Sequence, residues 1–381
     1  VIALLAVLLG LDPPPGYRIE AIRLRYTHYD QVGVGYQSAA GPPGLPGSEA
    51  VTVEQPQAEV IARLGDRVTQ RLWVPVDVVT AASPDHSRFG KAYDQPDAIT
   101  TASRINTAES VDTLTSYRAS ANQEVSFRGA VHVEEPFQSW SLGMGTTRAF
   151  ADDNTVVGAS VNQIMDWFDR FDLDGHRHGR ANRSTSNANL VLSQVLSATT
   201  FVALSYGVTL QRGTLGNTWQ SVLLTDGTRG EELLPRQRLR HALTARLSQW
   251  LPWNGAARFY LRGYVDDWGI AAASTEVDLL QRLAPWVYVR ASYRVHRQSG
   301  ARFFTTGADP AAPGYRTADS DLQAFIAETV GGAVVVDLPP ALLPRFAESL
   351  QDVHLDLGFE RYSRSNDLRV DISTCGVGFR F

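Results

Sequence analysis

The chain has 381 residues, 44% of them hydrophobic, and a formal net charge of -5. This mildly acidic balance leaves no basic footprint for nucleic acid, and the single Cys375 excludes an intramolecular disulfide and any cysteine-based zinc site. No apolar run approaches the roughly 18 residues of a membrane helix. A membrane location must therefore come from strands, which need an apolar residue only at every second position, so the mean hydropathy of -0.16 does not argue against it.

Residues 1–16 open with an apolar run and end in the breaker Pro13-Pro14-Pro15-Gly16. The run resembles the hydrophobic part of a secretory signal peptide. The alternative is a retained segment that plugs a lumen or lies at the membrane surface. Residues 17–381 are expected to form a single domain. Within it Ile22, Leu24 and Tyr26 alternate with Arg23, Arg25 and Thr27, the pattern of a strand with one apolar face. A Gly- and Pro-rich stretch over 33–56 reads as a long loop, 60–64 as a short returning strand, and Gly65-Asp66 as a tight turn. Val68, Leu72, Val74, Val76 and Val78 carry the next strand, and 83–106 reads as a second long loop.

The region around Val111 is irregular and is assigned to a strand. Val125, Phe127, Val131 and Val133 then alternate with polar residues, Glu135-Pro136-Phe137 turns the chain, and Trp140, Leu142 and Met144 return. Residues 151–154 form a compact turn before Val157, Ala159, Val161 and Met165. Residues 169–186 read as a long charged loop. Ser197-Ala198-Thr199 marks a hairpin, and Val202, Leu204, Tyr206, Val208 and Leu210 share one face beyond it. Residues 213–235 read as a loop, followed by a strand with Leu239, Leu243, Ala245 and Leu247 on its apolar face. Its turn at 252–255 is flanked by Trp250 and Trp253, as at a membrane interface. Three alternating segments follow up to Val295. Then come a loop over 300–319, a segment at 322–336 whose broken alternation suggests a bulge or a slipped face, and a Pro-containing connection over 338–351.

The last stretch alternates most clearly. Val353, Leu355, Leu357 and Phe359 oppose His354, Asp356, Gly358 and Glu360, and Cys375, Val377, Phe379 and Phe381 continue the pattern to the terminal aromatic residue. Segments of ten or more residues suit a tilted membrane strand of roughly 9–11 residues better than the roughly five or six of a soluble sandwich. The expected fold is all-β: a transmembrane antiparallel up-and-down barrel of about sixteen strands, with fourteen as the alternative count. Short periplasmic turns and long extracellular loops should connect them. The final strand should close the sheet against the Ile22-Leu24-Tyr26 strand, with Phe381 at the periplasmic rim.

Three groups of motifs resemble a bacterial family catalogued as domain of unknown function 3570. They are Ser83-Pro84 with Asp97-Ala98-Ile99-Thr100; Leu196-Ser197-Ala198-Thr199-Thr200 with Ser205-Tyr206; and Gly213-Thr214-Leu215-Gly216-Asn217 leading to Gln220-Ser221-Val222. The stretch 148–154 departs from the family pattern, where a longer acidic and aromatic loop is expected. The resemblance implies an outer-membrane barrel and a genomic neighbourhood of extracytoplasmic thioredoxin-like and flavin-transfer proteins. It supplies no catalytic residues.

The polar faces carry the candidate chemistry. Arg238, Arg240, Arg246, Arg258, Arg262, Arg290 and Arg294, with Asp266, Glu276, Asp278, Asp356 and Glu360, are expected to line the lumen. They would act there either as a constriction that filters solutes by sign and size or as a structural network. In the segment 166–178, Asp172, Asp174, His176 and His178 offer oxygen and imidazole ligands to a metal. The spacing lacks the distal Glu of a calcium loop, so a solvated surface loop is the preferred reading.

The expected function is a non-enzymatic outer-membrane pore in a Gram-negative cell envelope, with no cofactor. The alternative is a non-conducting anchor for cell-surface or periplasmic, including redox, partners. A more remote reading is a lipid hydrolase using His28, but no Ser stands in a recognisable motif with any His. The expected partners are outer-membrane lipids and lipopolysaccharide, the barrel-assembly machinery acting on the Phe381 strand, and proteins at the loops or turns. No nucleic-acid partner is expected.

Overall fold

Strands with one apolar and one polar face leave a row of unpaired amides at each sheet edge, a cost removed fully only when the sheet closes on itself. The computed structural model describes residues 16–33, 50–81, 106–135, 137–171, 177–216, 221–339 and 350–381. Its first nine strands are β1 (Tyr17–Val32), β2 (Val51–Leu64), β3 (Val68–Ala81), β4 (Asn106–Ser120), β5 (Gln123–Glu134), β6 (Phe137–Phe150), β7 (Thr155–Phe171), β8 (Arg177–Ser197) and β9 (Thr200–Gly213). A small hairpin follows, β10 (Ser221–Leu223) and β11 (Arg229–Glu231). The remaining strands are β12 (Gln237–Leu251), β13 (Gly255–Asp266), β14 (Ala271–Ala284), β15 (Val287–Gln298), β16 (Phe325–Leu338), β17 (Asp352–Arg364) and β18 (Arg369–Arg380). All except β10 and β11 form one closed antiparallel barrel of sixteen strands, each paired with its neighbours along the chain and β1 with β18.

The seam is fully laddered. β1 and β18 pair from Ala21↔Arg380 to Val32↔Arg369 without a register shift, and the Phe381 amide donates to the Glu20 carbonyl at 3.0 Å. Ile22, Leu24 and Tyr26 stand opposite Phe379, Val377 and Cys375, so the terminal strand continues the apolar outer face of the first. A bulge between Ile19 and Ala21 takes Glu20 out of the ladder with β2, where its carboxylate meets Arg63 Nε at 3.0 Å. The outer face carries bare apolar side chains around the barrel, with Leu142 at 74% and Leu357 at 64% exposure. The interior-facing side of several strands is small and polar, as at Ser141, Ser160 and Asn187.

The structure corrects several sequence expectations. β2 starts at Val51, so the preceding loop ends six residues before Pro56 does. Pro56 and Pro75 are accommodated by a break in the β2–β3 ladder between Glu54↔Val78 and Gln57↔Pro75, where proline has no amide to donate. The supposed loop at 169–186 is mostly strand: β8 runs for 21 residues and its polar upper half pairs with β7 through Asp166↔Arg183. Over residues 177–186 neither face of β8 is apolar, so hydrophobic alternation cannot mark it. β16 pairs with β15 and β17 in unbroken register, with no bulge. Its alternation fails because Ala333 and Val335 put small apolar side chains on the inner face. Trp250 shares the inner face of Arg246 and Ser248 by register, so it does not face outward with Trp253 at an interface. The apolar segment 1–15 and the connection over 340–349 lie outside the described residues.

Cα partners across an antiparallel pair lie about 4.5–5.5 Å apart, within disulfide reach. Tyr26→Cys therefore places a thiol opposite Cys375 across the seam. Oxidation should give a cross-linked species of altered gel mobility, lost in Cys375→Ser, whereas absence of the cross-link in the folded protein would contradict closure between β1 and β18.

The inner face as candidate functional site

The expected lumen residues lie on one face of the sheet by register, opposite the exposed apolar side chains. Most do not stand as free charges. Arg294 Nε donates to Glu276 Oε2 at 2.6 Å on the adjacent strand. Two other pairs reach across an intervening strand. Arg290 Nη2 on β15 donates to Glu360 Oε1 on β17 at 2.7 Å, and Arg25 Nη2 on β1 meets both oxygens of Asp356 on β17 at 3.3 Å.

Both bridges pass over glycine. A Cβ on Gly331 would lie 2.8 Å from Glu360 Cγ, and one on Gly376 would lie 2.3 Å from Asp356 Oδ1. A larger residue at either position would collide with the carboxylate arm.

The ion-pair belt extends to residues beyond the expected lumen set. Glu59 on β2 is buried between Arg23 on β1, at 2.7 Å, and Arg71 on β3. His354 Nδ1 lies 2.6 Å from Asp337 Oδ1 and its Nε2 3.7 Å from Asp356 Oδ1. Arg23, Arg25, Glu59, Arg71, His354 and Asp356 line a cavity of about 910 Å³ at the Phe381 end. Their strands place them together, but the irregular β2 and β3 sequences concealed the register that does so.

On the opposite arc the arginines are less fully paired. Arg246 lies over the Tyr260 ring at 6.0 Å, and Arg262 stands opposite Thr244 and Ser274. Arg258 is the register partner of Asp278 but makes no ion pair with it, and Asp278 Oδ1 is buried without a hydrogen-bond partner. Arg240 donates to Gln211.

Asp266 has a different role from the lumen charge expected of it. Its side chain is fully buried, accepts two bonds from Arg238 at 2.9 and 2.6 Å and one from the Tyr264 hydroxyl at 2.8 Å, and receives the Trp268 and Ile270 amides at 3.1 and 2.9 Å. Arg238 also stacks over Trp268 at 4.3 Å. This cluster anchors a folded cap built from the β9–β12, β13–β14 and β15–β16 connections. Trp268, Ile270, Ala301 and Leu322 form one buried cluster in it, and Val222, Leu224, Ala308 and Ala318 another. Bridges Leu224↔Ala308 and Leu233↔Arg316 tie the β9–β12 connection to the β15–β16 connection, and Phe304↔Thr317 folds the latter on itself. At the β10–β11 turn, the Thr228 hydroxyl and amide bond to Asp226 and hold its carboxyl below the usual carboxylate range.

Of the residues proposed for a metal, Asp172, Asp174 and His176 lie outside the described residues, and His178 is exposed at the start of β8. His28 is on the outer face. Its Nδ1 lies 2.9 Å from Glu54 Oε1, and Ser373 is its register partner on β18 without a side-chain hydrogen bond to it.

Breaking a buried ion pair from one side leaves the partner charge uncompensated, at a cost of about 3–5 kcal/mol. Asp266→Ala is therefore expected to release the cap while leaving the barrel closed. Limited proteolysis should then cut within 299–324 without loss of the folded barrel's gel mobility. A variant cap as resistant as the original would contradict the anchoring role of Asp266.

Among solved structures the chain resembles a bacterial polysaccharide outer membrane secretin at 10% identity and a TM-score of 0.46, covering 94% of this chain and 98% of that one. A BenF-like porin from Pseudomonas fluorescens Pf-5 is similar at 8% identity and a TM-score of 0.47, with 95% and 99% covered. The siderophore receptor PirA from Acinetobacter baumannii is similar at 10% identity and a TM-score of 0.46 over 90% of this chain, which spans about half of that receptor, 52%. No curated protein sequence matches the chain at a significant level. The family model described as "Protein of unknown function (DUF3570)" matches residues 16–375, and the chain belongs to that family.

Proposed function

We propose that this protein is a water-filled pore of the bacterial outer membrane that passes small polar solutes along a charged interior. The observation that carries the reading is the solvent exposure of Arg246, Arg258 and Arg262 on the inner face of the closed sheet. An interior packed shut would have to bury these guanidinium groups with partners, since burying an unpaired charge is costly. The bare apolar side chains outside suit contact with lipid and lipopolysaccharide. In this reading the Phe381 end faces the periplasm, where the barrel-assembly machinery would engage the terminal strand, and the capped end faces outward.

The cap favours a second reading. A pore mouth does not require three connections that fold around buried clusters of their own, whereas a platform for partner proteins does. On that reading the barrel is an anchor, and redox proteins are among the candidate partners.

Reconstitution of the purified full chain into planar bilayers separates the two. Stepwise ion currents that scale with the protein added are expected of the pore. A correctly folded barrel that inserts and carries no current would overturn the pore and leave the anchor.

A further inference from the structure

The charges of the inner face are distributed unevenly around the barrel. On the β12–β15 arc, Arg238, Arg290 and Arg294 have carboxylate partners, whereas Arg240, Arg246, Arg258, Arg262 and Arg282 have none among the described residues. The carboxylates on the same arc are Asp266, Glu276 and Asp278. The first is consumed by Arg238 in the cap anchor and the second by Arg294. Only Asp278 is unpaired, and one of its oxygens is turned into a buried position.

The adjoining arc, β6–β9, offers little compensation: its inner face presents Ser141, Gly143, Ser160, Asn162, Asn187 and Gly207, and its Asp166 is taken up by Arg183. On the facing arc, β2–β5, Glu59 is taken up by Arg23 and Arg71 and Asp112 by Arg128, while Asp77 accepts from Gln55. The β12–β15 wall thus carries a surplus of guanidinium groups, while the charges elsewhere on the inner face are largely paired.

The surplus is concentrated around one tyrosine. Arg246 is the register neighbour of Tyr260, and Arg258 and Arg262 flank Tyr260 two residues away along β13. Diagonal neighbours of this kind lie about 7–8 Å apart, close enough for three like charges to act on one solute and too far to satisfy one another. All three are exposed, with the Tyr260 ring beneath Arg246 as the aromatic partner on hand. Each guanidinium is a planar fork suited to carboxylate or phosphate oxygens.

We infer that the Arg246–Arg258–Arg262 cluster is an anion-attracting site in the lumen and that the pore prefers anionic solutes, those bearing carboxylate or phosphate groups, over cations. The inference rests on the pore reading and adds the sign of its cargo. The net acidity of the chain does not oppose it, because selectivity follows the field within the lumen rather than total charge.

Reversal potentials of the unmodified full chain in planar bilayers under a potassium chloride gradient provide the test. The expected result is an anion-to-cation permeability ratio above one. Replacing the cluster in Arg246→Gln/Arg258→Gln/Arg262→Gln should lower that ratio by roughly three- to sevenfold, the factor set by a local potential of about one half to one kT, which enriches the anion and depletes the cation alike. A ratio at or below one in the unmodified protein would overturn the inference while leaving the pore. A ratio above one that the substitutions do not change would remove the assignment to this cluster. Absence of any current would instead overturn the pore reading beneath it.

Discussion

Backbone hydrogen bonding at the β1–β18 seam is the constraint on which the rest of the molecule depends. In hydrocarbon an unpaired amide or carbonyl has no water to turn to and costs on the order of several kcal/mol, so a row of them would outweigh any side-chain arrangement. The unbroken ladder from Ala21↔Arg380 to Val32↔Arg369 removes that row. Closure also fixes which face of every strand is inside, because a shift of one residue would exchange the two faces throughout. The positions of Arg25, Arg258 and Asp356 are consequences of closure as much as of their local sequence.

Within that frame the interior has three different solutions to the problem of enclosed charge. Near the Phe381 end Glu59 and Asp356, and further along β17 Glu360, are gripped by arginines from neighbouring or next-but-one strands, with Gly331 and Gly376 clearing the path for two of the bridges. At the opposite end Asp266 is removed from water and used as the anchor of a cap. On the middle of the β12–β13 wall, Arg246, Arg258 and Arg262 remain in solvent. Paired charge lends rigidity, and in the proposed pore only the unpaired charge would be left to act on solutes.

Much of the barrel was legible in the sequence because one physical rule, apolar at every second residue, operates wherever a strand meets lipid. Val353 to Phe359 and Cys375 to Phe381 obey it and read correctly to the residue. The rule is silent where its cause is absent. The polar extension of β8 and the cap lie beyond the apolar band, and no alternation betrays them. It also misleads where both faces are apolar, as on β16, and at Trp250, whose chemistry suggested an interface while its register turns it inward. The charged residues could be assigned a face from sequence, but their partners depend on which strands lie side by side and on the glycines between them.

The most direct measurement is thiol labelling along β13 in lipid vesicles, with single cysteines placed from Arg258 to Arg262 in a Cys375→Ser background and a membrane-impermeant reagent added from the aqueous phase. Positions 258, 260 and 262 are expected to react through a water-filled lumen while 259 and 261 are protected by lipid. Uniform labelling along the strand, or the opposite alternation, would contradict a membrane barrel with its charged face within and its apolar face outside.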